Sequence, residues 1–173
     1  NNAVIKIRLM GTAGAGEGLT IGNAGCAVYG LAIVNFPANG IRLLSFGNAV
    51  VQGNFIGLDP DGVTARGNSG LGIRSTVSGS IIGGAAPWQR NVISGNLGGG
   101  ISMQSSGGNV VQGNYIGSHA SGTLGRGNSG IALEMTNPNA TGNLIGGTNI
   151  GEGNTPGKLV PTLRPASAFS VIE

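Results

Sequence analysis

Arg42 and Arg74 occupy equivalent places in two short segments, Gly40-Ile41-Arg42-Leu43 and Gly72-Ile73-Arg74-Ser75. If these segments are strands laid one over the other, both guanidiniums leave the same side of a sheet, in a column that continues through Ser102 and Glu134. Arg66 and Arg126 sit on longer loops that lead toward that side. Neighbouring guanidiniums facing solvent can grip the carboxylate or sulfate groups of an acidic polysaccharide through bidentate hydrogen bonds. The same arginines also serve a plainer purpose, keeping a flat sheet surface soluble and discouraging edge pairing.

The acidic residues offer less. Asp59-Pro60-Asp61-Gly62 is a short turn in which Asp59 and Asp61 form a weak candidate cation site. Ca²⁺ takes about six to eight oxygens. The other acids, Glu17, Glu134, Glu152 and Glu173, are far away in sequence, so an ordinary Asp-rich turn is the favoured reading. Glycoside hydrolysis needs two carboxylates on one face, and only Asp59 and Asp61 qualify, within a single turn. A lyase would need a Ca²⁺ cage beside a basic residue, and the cage is missing. His119, the sole histidine, is expected in an exposed loop with no acid or nucleophile beside it. A lone Cys26 excludes an internal disulfide and a cysteine metal cluster, and is expected to be a small buried hydrophobe. No Walker lysine, HExxH or GxSxG motif is present. The glycine-rich stretch from Val4 to Gly18 runs into LTIGNAG rather than a helix, so no helix N-terminus is offered to a pyrophosphate. No cofactor is expected.

What would position the arginines is a repeat. VVQGNFIG at Val50 to Gly57 returns as VVQGNYIG at Val110 to Gly117, and GNSG at Gly67 to Gly70 returns at Gly127 to Gly130, each sixty residues on. Inside that unit Gly-Ile recurs at Gly40, Gly72, Gly100 and Gly130, each time opening a short apolar alternation. Three short strands per coil follow: IRLLS, AVVQGN and FIG; then GIRST, SIIGG and NVISGN; then GISMQS, NVVQGN and YIG; then IALEM and NLIGG. GLTI and CAVYGLAIVNF supply an earlier coil.

Helices are nearly excluded, because Gly or Asn interrupts every stretch long enough to carry a helical apolar stripe. The 36 glycines and 7 prolines make about a quarter of the chain, a composition at the edge of disorder. A hydrophobic content of 39% with only 9% charged residues argues instead for a fold made mostly of turns. Short alternating strands at this spacing point to a solenoid, in which each strand pairs with its copies above and below at about 4.8 Å. Asn68, Asn96, Asn128 and Asn154, each after a glycine, are expected to close the coils at positive φ and to bond one another along the axis, as are Asn54 and Asn114. Phe55 and Tyr115 are expected to alternate with Ile56 and Ile116 between surface and core. Two corners carry long insertions, Leu58 to Gly70 and Ser118 to Gly130, and a third carries AAPWQR; loops projecting from a rigid stack are where function would sit.

The units GNVVQGNYIG…GT…GNSG, NLIGG and RNVISGN…GGGI, with the opening GAGEGLTIGNAGCAVYGLAIVNF…NGI, resemble the bacterial parallel β-helix repeat family over residues 4–154. The resemblance implies an all-β, right-handed parallel β-helix, a single-stranded solenoid of about five coils of three short strands, the fold shared with pectate lyases and phage tailspikes. It also implies an extracellular or cell-surface setting, and no single activity. Family copies commonly read IGTD in the long loop; this chain keeps Asp59 in its first copy and has His119 in the second, which weakens any role that needs the acid in every copy.

Residues 1–154 are thus expected to be the β-helix, and 155–173 a non-repeat tail that either covers the lower end or is foreign to the repeat. The net charge of +3 comes with no Lys/Arg run interleaved with aromatics, so no nucleic-acid partner is expected. No apolar run is long enough for a membrane-spanning helix. Uncovered terminal coils would favour an end-to-end homodimer. The residues support a non-catalytic scaffold or surface-binding module from a larger secreted protein ahead of the alternative, a lyase or glycosidase working on acidic polysaccharide.

Overall fold

Strands of two to five residues persist only when neighbours above and below complete their hydrogen bonds, and this chain supplies those neighbours by winding. The computed structural model describes residues 4–104, 107–123, 125, 127–137 and 141–156. The strands are β1 (Ile7–Met10), β2 (Leu19–Ile21), β3 (Ala27–Tyr29), β4 (Leu31–Val34), β5 (Ile41–Leu43), β6 (Val50–Gln52), β7 (Phe55–Ile56), β8 (Leu71–Ser75), β9 (Ile81–Gly83), β10 (Val92–Ile93), β11 (Gly99–Met103), β12 (Val110–Gln112), β13 (Tyr115–Ile116), β14 (Leu133–Met135), β15 (Leu144–Ile145) and β16 (Thr155–Pro156). Sheet A runs β1-β4-β7-β10-β13-β16, sheet B β2-β5-β8-β11-β14 and sheet C β3-β6-β9-β12-β15. Each sheet takes every third strand, and every pairing is parallel. The chain is a parallel β-helix of five coils, with β1 laid on top.

Register places like residues over like. Ile33, Ile56, Ile93 and Ile116 form one inward column, Ile41, Ile73 and Ile101 a second, and Val51, Ile82 and Val111 a third. All are at most 2% exposed, and burying each such side chain contributes about 1.5–3 kcal/mol. The recurring Gly-Ile pair has a packing cause: a Cβ on Gly40 would stand 2.6 Å from Ile56 Cγ2, and one on Gly100 equally close to Ile116 Cγ2. Gly130 is not part of that column. Leu133 pairs with Ile101, so Ala132 takes the place that Gly100 holds one coil earlier.

The segment CAVYGLAIVNF is not one strand but two. Gly30 turns the corner at φ 68°, sending β3 to sheet C and β4 to sheet A. At the lower end Thr155 and Pro156 pair with Tyr115 and Ile116, so the stack runs just past the expected boundary at 154. Residues 157–173 lie outside the described residues.

The corners hold amide ladders. Asn54, Asn91, Asn114 and Asn154 form one, each Nδ2 donating to the Oδ1 of the next at 3.1, 2.9 and 3.0 Å. Asn68, Asn96 and Asn128 form a second, at 2.9 and 3.0 Å, and Asn109 donates to Asn143 at 2.9 Å in a third. Two expectations are corrected here. Asn154 belongs with Asn54 and Asn114, one corner away from Asn128. The ladder asparagines also do not sit at positive φ; among the described residues that conformation falls on Asn35, Ser45 and Asn48 and on glycines such as Gly53, Gly95 and Gly113 that precede ladder asparagines.

The long insertions do not project. Each closes on itself through an antiparallel bridge, Leu58 with Ala65 and Ser118 with Gly125. Both fold over the outer side of sheet A, where Phe55 and Val92 join Ile5, Ala32 and Leu58 in a second small core against which Tyr115 and Ala120 pack. Phe55 and Ile56, expected to alternate between core and surface, are both buried, at 3% and 0% exposed. The two loops also touch, through Ala120 N–H donating to Gly62 O at 3.0 Å.

Candidate functional site

The arginine column forms in register. Thr20, Arg42, Arg74, Ser102 and Glu134 are successive Cα partners across β2, β5, β8, β11 and β14. Their strand neighbours Ile41, Leu43, Ile73 and Ile101 are buried, which turns the column outward. Strand alternation and the glycine contacts above therefore hold Arg42 and Arg74 one rung apart on the outer side of sheet B.

Their surroundings differ. Arg42 Nη1 lies 3.7 Å from Glu17 Oε1, and Glu17 is itself fixed by the backbone and side-chain N–H groups of Asn39 at 2.7 and 3.2 Å. Among the described residues Arg74 has no such acid: its Nε and Nη2 donate to Gln104 Oε1 at 3.2 and 2.8 Å. Ser102, below it, donates to Glu134 Oε2 at 3.3 Å. The column runs from a partly neutralised guanidinium through one resting on a neutral amide to a carboxylate.

Arg66 turns elsewhere. Its Nε donates to Asp59 Oδ2 at 2.5 Å, while Arg8 Nη1 reaches Asp59 Oδ1 at 3.1 Å. Arg8 is the partner of Ala32 on sheet A, so Arg66 serves the loop over sheet A rather than the Arg42–Arg74 face. Arg126 lies outside the described residues. Asp61 spends its oxygens inside its own turn, Oδ1 accepting from Val63 N and Thr64 N and Oδ2 from the Thr64 hydroxyl. That hydroxyl, followed by the two backbone donors, holds its carboxyl below the ordinary value. Asp59 and Asp61 thus face different partners, and the described residues contain no group of three or more His, Cys, Asp or Glu able to hold a metal ion.

His119 corrects an expectation. It is 7% exposed, and its Nε2 has no hydrogen-bond partner among the described residues. The collapse of its loop onto Tyr115 and the Asp59 loop buries it. Cys26 is only half-buried.

Glu17, Arg8 and Gln104 are the site residues that the sequence reading passed over. Glu17 precedes Gly18-Leu19, the counterpart of Gly40-Ile41, and so stands one coil above the Arg42 strand; that offset was readable. Arg8 was not, because β1 belongs to no complete coil. Comparison with protein-family models, with curated proteins and with solved structures returns no match.

Proposed function

We propose that this chain is a non-catalytic β-helical scaffold whose sheet B presents Arg42 and Arg74 to acidic polysaccharide, within an extracellular or surface-bound protein of the bacterial β-helix repeat type. The observation that carries the reading is Arg74, half-buried, resting on a neutral amide one rung from Arg42, with no carboxylate at ion-pair distance among the described residues. A polymer carboxylate can replace the Gln104 contact without first breaking an ion pair, and charge-assisted bidentate bonding then favours the exchange. What supports the non-catalytic reading is that each described carboxylate already has a structural partner: Glu17 with Asn39, Asp59 with two arginines, Asp61 with its turn, Glu134 with Ser102 and Glu152 with Asn149.

Electrophoresis through a gel containing polygalacturonate tests this. The chain is expected to be retarded, the retardation to fade at high salt as exposed charges are screened, and Arg74→Ala to weaken binding about tenfold, which corresponds to about 1.4 kcal/mol. Release of unsaturated or reducing ends by the wild-type chain would make it an enzyme, and unretarded migration would remove the ligand.

A further inference from the structure

The arginines of sheet B are bracketed by acids. Within its strands the charged residues are Arg42, Arg74 and Glu134, all in one outward column. Glu17 stands beside Arg42 at the upper end. Glu134 lies two rungs below Arg74, about 10 Å along the axis at about 4.8 Å per rung. Ser102 fills the rung between them, 1% exposed and donating to Glu134 Oε2 at 3.3 Å.

The two acids are not equivalent. Glu17 is engaged by Arg42 and by both N–H donors of Asn39. Glu134 has the Ser102 hydroxyl: ion pairs among the described residues use Asp59 and Glu17, and Glu134 Oε1 accepts no hydrogen bond there. It is the acidic counterpart of Arg74. Each is half-buried, each rests on a neutral side chain, and neither has an opposite charge at ion-pair distance among the described residues.

A ligand bearing only anions meets two guanidiniums and then, on the same line, a repelling carboxylate. One bearing anions and a cation satisfies all three. We propose that the acidic polysaccharide bound by sheet B also carries free amines: a polymer of uronate and aminosugar whose carboxylates seat on Arg42 and Arg74 and whose ammonium seats on Glu134. This rests on the reading of sheet B as a polysaccharide-binding face. The ammonium makes a charge-assisted hydrogen bond to Glu134 Oε1, and the Ser102 contact stays in place. Bulk attraction points the other way, because a chain of net charge +3 favours the more anionic polymer. The two causes therefore differ in sign.

Affinity electrophoresis of the full chain compares hyaluronan, whose amines are acetylated, with the same polymer after removal of the acetyl groups, at a pH where carboxylates are charged and the amines protonated. Polygalacturonate serves as the reference. Wild-type protein is expected to bind the free-amine polymer about fivefold more tightly than hyaluronan, the upper end of what an exposed ion pair supplies. Glu134→Gln, whose amide oxygen still accepts from Ser102, is expected to bind both forms alike and to keep its hold on polygalacturonate. Should that variant unfold, amide shifts of the wild-type chain must include Ser102 and Glu134 with the free-amine polymer and spare them with hyaluronan. Equal or weaker binding of the free-amine form, or a preference that survives Glu134→Gln, would overturn this inference while retention by polygalacturonate leaves the underlying reading standing. Retention by none of the three polymers would remove both.

Discussion

A carboxylate can be consumed by its own turn, and Asp61 is the case in point. Three donors from Val63 and Thr64 stabilise its charged form and lower its pKa from 3.8, the Thr64 hydroxyl contributing most. Because the folded value lies below the unfolded one, the resulting stability is complete above about pH 4 and is lost as pH falls through the folded value. Thr64→Val is therefore expected to raise the Asp61 pKa toward the ordinary value without unfolding the chain, as read by a carboxyl-carbon NMR titration; an unmoved titration would mean that the hydroxyl bond is not made in solution. Asp59 is engaged differently, joining Arg8 to Arg66 across the loop. Both guanidiniums are half-exposed, so solvent discounts each pair to about 0.2–1 kcal/mol. Asp59→Asn, which leaves two like charges together, is expected to cost about 1 kcal/mol in a urea titration, and Arg66→Gln less, because Arg8 still holds the carboxylate.

Ladders and strands show what single residues do not. Asn91 Nδ2 donates to Val51 O and Asn114 Oδ1, while its Oδ1 accepts from the side chain and backbone of Asn54, all in the interior. Asn91→Ala would leave these partners buried and unpaired at about 1–3 kcal/mol for each lost group, so a loss of about 3 kcal/mol is expected in chemical denaturation. Asn154→Ala, at the ladder's end, should cost about 1 kcal/mol; equal losses would show that the ladder adds nothing beyond its corner turns. Asn91 also marks where the sequence became hard to read. Ladder membership was sought through a preceding glycine, yet Arg90 stands there; the shared feature is two strand residues after the asparagine, Phe55-Ile56, Val92-Ile93, Tyr115-Ile116 and Thr155-Pro156. The Arg42–Arg74 column was legible because a period-2 strand and a glycine-marked start leave one register. The collapse of the long loops was not, since it depends on Phe55 and Tyr115 meeting Gly62 and Gly122 from outside the sheet, a contact without periodicity.

At the scale of the molecule, the described path begins and ends in sheet A, with six strands there against five in each other sheet. A second copy placed head to tail with its β2 under β14 and its β3 under β15 would set its β1 on the rung that β16 already occupies. Flush end-to-end stacking of the described strands therefore requires one of those two strands to let go, a cost that the expectation of an end-to-end homodimer did not include. The same coil-by-coil construction governs stability, because each coil contacts only its neighbours and loss of order starts where one neighbour is missing. Burial follows this: the inward columns are at most 2% exposed from β5 to β13, whereas every residue of β14 and Ile145, the inward residue of β15, are only half-buried. Amide exchange is accordingly expected to be graded by coil and not by sheet, with Ile56, Ile82, Ile93 and Ile101 slowest, and β1 and β15 fastest. Ile93→Ala, at the centre of the isoleucine column, should cost about 2–5 kcal/mol and speed exchange in β7, β8, β11 and β13 together. If the substitution instead speeds exchange along sheet A alone, from β1 to β16, the sheets and not the coils are the cooperative units, and the nearest-neighbour description of this β-helix is wrong.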